Sequence, residues 1–241
     1  MGLERIGEDR QEIKQVIFLT RKEKTMVKKE KVEKQTRVEI TPPNFQIAEF
    51  TIKGTSPYVQ SKWSKKAKEE MKSKQEAGST AKKGTKRAAK DFDECYKQAQ
   101  YIAKEGWHGI PAPNFRNAMI SACKMVGFQM TRAKLSIFVL SDGYDTDENA
   151  PLVKITKGKP FKFEAMVRNA TGVADIRIRP MWDEGWEANL RIRYDADQFT
   201  LEDVANLLMR AGVQVGVGEG RPGSSKSNGL GWGMFEIAKR K

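Results

Sequence analysis

Histidine and cysteine are nearly missing from this chain of 241 residues: there is one histidine, His108, and there are two cysteines, Cys95 and Cys123. Chemistry that needs two histidines is excluded, a disulfide framework is not expected, and an ordinary His/Cys zinc site lacks its ligands. Long hydrophobic runs are missing too. The best candidate near the start, residues 15–19 (QVIFL), is far below the roughly 18 residues that span a bilayer and is too charge-flanked for a signal peptide. A cytoplasmic protein with no membrane partner is therefore expected. What the chain has in excess is positive charge: 44 Lys+Arg against 31 Asp+Glu, a formal net charge of +13, which favours a polyanionic partner.

Charge and apolar spacing divide the chain. Residues 1–40 mix 11 basic and 8 acidic residues with few aromatics, the composition of a charged, disordered arm, and residues 41–241 read as one domain. Residues 45–53 (FQIAEFTIK) alternate as a strand and end at the Gly54-Thr55-Ser56-Pro57 cluster. An insertion of about 62–104 follows. Its first part, 62–90, carries 11 basic against 3 acidic residues, so Lys82, Lys83, Lys86 and Arg87 are candidate phosphate contacts; its last part, 92–103, has helical spacing.

Next, Gly109-Ile110-Pro111-Ala112-Pro113-Asn114 leads into a helix whose stripe is Phe115, Ala118, Met119, Ala122, Met125 and Val126, closed by Gly127. Strands are expected at 134–140 and 161–167, around an acidic loop at 142–148. A second helix is expected at 201–211, with Thr200 as N-cap, Asp203 completing a capping box and Gly212 as its stop.

The stretch of about 173–195 reads as a protruding hairpin. A three-residue loop Asp183-Glu184-Gly185 pairs Trp182 with Trp186, Ile178 with Leu190 and Ile176 with Ile192, and it sets Arg177 opposite Arg191. A phosphate between the two arginines would relieve their repulsion; two solvated arginines are the plain alternative. Trp182 and Trp186 at the hairpin tip are candidates for base stacking.

Residues 216–233 hold the densest glycine cluster. Gly218, Gly220 and Gly223 fit G-x-G-x-x-G, but a dinucleotide fingerprint follows a strand, whereas this run follows a helix. Ser224 stands where a P-loop needs lysine. What remains is a backbone-exposing loop carrying Arg221 and Lys226, able to approach a nucleic-acid backbone. No cofactor and no resident metal are called for: Asp145-x-Asp147-x-Asn149 opens like a calcium loop, yet Ala150 and Thr156 replace its glycine and bidentate glutamate. His108 is a weak candidate for the general base of a metal-independent endoribonuclease.

In chain order these elements form βαββαβ with insertions, an α+β ferredoxin-like or RNA-recognition-type core. The chain resembles the repeat-associated mysterious protein (RAMP) superfamily, which includes the backbone and processing subunits of CRISPR effector complexes. Three stretches carry the likeness: 52–57 (IKGTSP), 109–118 (GIPAPNFRNA) and the loop 216–233. The resemblance implies that the loop and the helix lead-in lie against RNA backbone through Asn114, Arg116, Gly218, Gly220, Arg221 and Gly223, with the hairpin as a thumb. Residues 56–64 (SPYVQSKWS) are also similar to bacteriophage proteins. The function expected is binding of single-stranded nucleic acid, RNA favoured over DNA, by a non-enzymatic protein that forms a homo-oligomer or filament along the strand in a prokaryotic cell or a phage-infected host. A nuclease and a phage structural or interaction protein are the alternatives.

Overall fold

The computed structural model describes residues 40–78, 90–168, 174–224 and 230–239. The chain divides into two units, 1–42 and 43–241, and every element below lies in the second. In chain order they are β1 (Phe45–Gly54), β2 (Tyr58–Val59), α1 (Lys65–Ala77), α2 (Phe92–Gln98), β3 (Gly109–Pro111), α3 (Ala112–Ala122), α4 (Met130–Ser136), β4 (Ile137–Leu140), β5 (Gly143–Tyr144), β6 (Pro151–Lys157), β7 (Phe161–Arg168), β8 (Ala174–Trp182), β9 (Glu187–Asp195), α5 (Leu201–Arg210) and β10 (Phe235–Ile237). Among the described residues no helix is long and apolar enough to cross a membrane.

The core is α+β and ferredoxin-like. Strand β1 lies between β10 and β9, and β9 carries β4 on its far side, all antiparallel. Thus β1, α3 and β4 form a split crossover with β9 between its strands, the spatial order 4-1-3-2 of a βαββαβ core. Alternation in β1 and β9 turns Ala48, Ile52, Ala188, Leu190, Ile192 and Tyr194 inward, where they meet Phe115, Met119 and Ala122 of α3 and Val204, Leu207 and Leu208 of α5. Burial of these side chains, at about 25 cal/mol per Å² of apolar surface, is the main stabilising contribution.

Both helix starts follow from local chemistry. The capping box of α5 is complete: the Thr200 hydroxyl accepts from the Asp203 amide, and the Asp203 carboxylate accepts from the Thr200 amide at 2.9 Å. In α3, Pro113 sits in the first turn, where its missing N–H costs nothing. Two helix ends differ from expectation. Residues 123–126 tighten into a 3₁₀ turn before left-handed Gly127, which rotates Met125 and Val126 out of the stripe and into solvent. Gly212 is no stop: residues 211–215 continue as a π-turn, and Gly212 is buried so closely against β10 that a Cβ would lie 2.0 Å from the Phe235 carbonyl oxygen. The strand expected at 134–140 starts only at Ile137, because 130–136 is helical. Strand β6, unmarked in the sequence reading, pairs with β3 and with the start of β9.

The hairpin expected at about 173–195 does not exist. Strand β8 pairs with β7 and β2 in a separate three-stranded sheet, whereas β9 belongs to the main sheet. The excursion is therefore β7–β8, and the turn at 183–186 is where the chain changes sheets. That turn is bolted to the end of β1: Gly54 N donates to Trp186 O at 2.7 Å, Gly185 N to Gly54 O at 2.9 Å, and the Trp186 indole N–H to Ser56 O at 3.0 Å. Gly54 has to be glycine, since a Cβ there would sit 2.0 Å from Trp186 Nε1.

Candidate nucleic-acid interface

Three stretches far apart in sequence converge beside that junction. The segment after β1 and the glycine-rich loop are stitched together through their backbones: Thr55 N to Met234 O, Gly233 N to Pro57 O and Glu219 N to Val59 O, at 2.9, 2.7 and 3.0 Å. Asn114, in the first turn of α3, lies beside Gly218 and Arg221. Together with Arg177 of β8 they border an open cleft of about 570 Å³, whose lining also includes Tyr58, Ser61, Trp63 and Tyr101. The stretches 52–57, 109–118 and 216–233, which carry the resemblance described above, thus meet at one place.

The electrostatics of the cleft are basic but tethered. The Glu219 carboxylate accepts from Arg179 Nε at 2.7 Å and lies 4.0 Å from the Arg177 guanidinium, so one acid serves two arginines. Arg221 donates to the Gly218 carbonyl at 2.9 Å and has no carboxylate partner among the described residues. That bond aims the guanidinium, whose planar fork carries five donors in all.

The glycines of the loop serve the fold first. Gly216, Gly218 and Gly220 hold φ of 70°, 82° and 74°, and the Cβ each lacks would point into protein. At Gly218 it would meet the Tyr58 ring and the Val59 carbonyl at 2.6 Å; at Gly220 it would meet the Trp232 ring at 2.6 Å. The reading that these glycines clear space for a strand is corrected here: they let the loop lie flat against Tyr58 and Trp232. Gly223 lines a smaller pocket next to the cleft, with Asn114 and Arg221.

Trp182 and Trp186 are not stacking residues. Their relative exposures are 0% and 1%, and Tyr58 lies 5.5 Å from each ring. Both rings flank the turn and lie in the core shared by the two sheets. Burial pushes the Tyr58 hydroxyl well above the usual phenol range. Arg177 and Arg191 do not face each other: Arg191 lies on the main sheet, donating to Ser141 O at 2.8 Å and pairing with Asp142 at 3.1 Å. Arg116 holds β4 in place through the Ile137 carbonyl at 2.8 Å and the Lys134 carbonyl, so it does not reach the cleft. Lys82, Lys83, Lys86, Arg87 and Lys226 lie outside the described residues.

Trp63, 63% exposed at the cleft, is the exposed aromatic side chain that sequence reasoning passed over. Its position is set from both sides. Ser64 caps α1, accepting from the Ala67 amide, and Lys62 is sunk into the acidic loop against Asp145. The same loop pairs Asp147 with Lys62 at 3.0 Å and Lys65 at 2.9 Å, and Glu148 with Lys68, so it receives the start of the insertion. The Lys65 and Lys62 ammonium groups hold the Asp147 carboxyl below the usual carboxylate range.

His108 is half-buried with its ring edge-on to Trp182, centroids 5.7 Å apart, and burial holds its pKa below the usual imidazole value. It does not line the cleft. Among the described residues no carboxylate orients it, and its buried Nδ1 has no hydrogen-bond partner.

Comparison with known proteins gives a distant likeness of fold. One solved structure, titled as the cryo-EM structure of the type III-B Cmr-beta bound to cognate target RNA, aligns over 81% of this chain with a TM-score of 0.44 and 10% identity. This chain spans 60% of that chain's length. No family model and no curated protein matches.

Proposed function

We propose that this protein binds single-stranded nucleic acid, RNA in preference to DNA, in the cleft between the glycine-rich loop, the start of α3 and the β8 face. The observation that carries the reading is the lining itself: the exposed ring of Trp63 shares one open cleft with the guanidinium groups of Arg177 and Arg221. Stacking on an aromatic side chain suits any base, and forked guanidinium donors suit phosphate. Ser61 and Asn114 supply short polar groups that a ribose 2′-hydroxyl can bond, which supports RNA over DNA. The formal charge of +13 adds long-range attraction. Assembly of copies along one strand belongs to the same reading, supported by β7, an eight-residue edge whose outer side pairs with no described strand.

The test is anisotropy of labelled RNA and DNA 30-mers across a salt series. Trp63→Ala is expected to cost about 1–3 kcal/mol of binding per stacked base, and Arg221→Ala about 1.5–3 kcal/mol, each with an unchanged melting temperature. A wild-type protein that binds neither oligonucleotide at low salt rejects the proposal.

A further inference from the structure

The open face of the main sheet carries a second arrangement of rings and cations, at the opposite end of β1 from the cleft. In register across three strands, Ile47 of β1, Arg193 of β9 and Phe138 of β4 stand side by side on the face turned away from α3 and α5, and Phe45 follows two residues before Ile47. The Arg193 guanidinium lies 4.9 Å from the centroids of both Phe45 and Phe138, whose rings are 5.9 Å apart, and the Arg116 guanidinium lies 5.1 Å from Phe138. Rings and guanidinium planes therefore alternate. Phe45 is 39% exposed and Ile47 59% exposed, and Arg193 is exposed as well. Neither Arg193 nor Arg116 has a carboxylate partner among the described residues; Arg191, next on the face, is the one already neutralised, by Asp142.

We propose that this face is a second site for unpaired bases of a single-stranded nucleic acid. Phe45 leaves part of its ring open to water beside half-buried Phe138, and a base can cover both with a flat apolar surface. Charge chooses this occupant over an apolar protein surface. Burying Arg193 under a protein without an acid would strand a charge, while a nucleic acid brings a phosphate with each base it stacks. About 30 Å separates Phe45 from Gly54 along β1, at about 3.3 Å per residue, so one strand long enough to reach both ends could occupy the face and the cleft together.

The experiment is photocrosslinking of the full chain to 5-iodouracil-substituted RNA and DNA oligonucleotides, with crosslinked peptides mapped by mass spectrometry and affinities read in parallel. Crosslinks at Phe45 or Phe138 are expected, and Phe45→Leu, which keeps the apolar bulk and removes the ring, should remove the first and weaken binding at least about fivefold. An abasic oligonucleotide of equal phosphate count should bind wild type and Phe45→Leu alike. The RNA and DNA arms tell which sugar the face accepts. Crosslinks confined to Trp63, or an unchanged affinity in Phe45→Leu, overturn the proposal and leave the cleft reading standing; crosslinks at Phe45 without any at Trp63 do the reverse.

Discussion

The Lys62 ammonium is buried against the Asp145 carboxylate, 3.0 and 2.8 Å from its two oxygens, with relative side-chain exposures of 3% and 1%. Asp145 also accepts the amide N–H groups of Asp147 and Glu148 at 3.0 and 2.8 Å, so the acid is saturated and the acidic loop is shaped around it. Because Trp63 follows Lys62 directly, this pair fixes one wall of the cleft from beneath.

Breaking the pair on one side should be costly. Asp145→Asn takes the buried counter-charge from the Lys62 ammonium, leaving it only the partly exposed Asp147, and is expected to lower stability by up to about 3–5 kcal/mol. Lys62→Met combined with Asp145→Asn removes both charges and should recover part of that loss. Urea denaturation of the two variants checks this; equal losses would show that the cost comes from the Asp145 bonds to the loop amides and not from a stranded ammonium.

Gly220 and Arg221 separate fold from binding. Gly220→Ala puts a methyl group against Trp232 at φ +74° and should cost about 1–3 kcal/mol of stability, lowering the melting temperature before it changes any affinity measured well below the transition. Arg221→Ala should weaken binding and leave the melt where it was. Coincident effects in both variants would mean that the guanidinium mainly braces the loop through the Gly218 carbonyl.

His108 gives the fold a pH dependence of known sign. Its folded pKa lies below the unfolded value of about 6.5 because burial disfavours the imidazolium. The unfolded chain therefore binds the proton first, and the stability held above that value is lost as pH falls through it toward the folded pKa. Melting temperature should drop between about pH 7 and 5, well above the carboxylate range, and His108→Phe should flatten the drop. A profile unchanged in that variant would place the titration elsewhere.

Local chemistry was legible in the sequence and partner choice was not. The Thr200–Asp203 capping box, left-handed Gly127 and strand β1 follow from residues within a few positions of each other. The register proposed for 176–192 matched apolar to apolar and was still wrong, because β8 and β9 each bury one face, and alternation records burial without naming the neighbour. The same blindness hid the cleft. Asn114, Gly218 and Arg221 could be picked from the helix lead-in and the glycine run, but Trp63 sits among lysines and shows itself only through Ser64, the cap that follows it, and through the burial of Lys62.

The change of sheet at residues 183–186 sets the cleft along a seam between two sheets that share one core. Tyr58 and Arg177 belong to the three-stranded sheet, while Asn114 and the glycine-rich loop are carried by the helices of the main one. Straps across the seam include the Glu219 side chain on Arg179 and the Glu219 amide on Val59. A strand lying in the cleft spans that seam and clamps the sheets like a dowel, so occupancy should show as slowed hydrogen exchange at the Gly54, Gly185 and Trp186 amides, none of which lines the cleft.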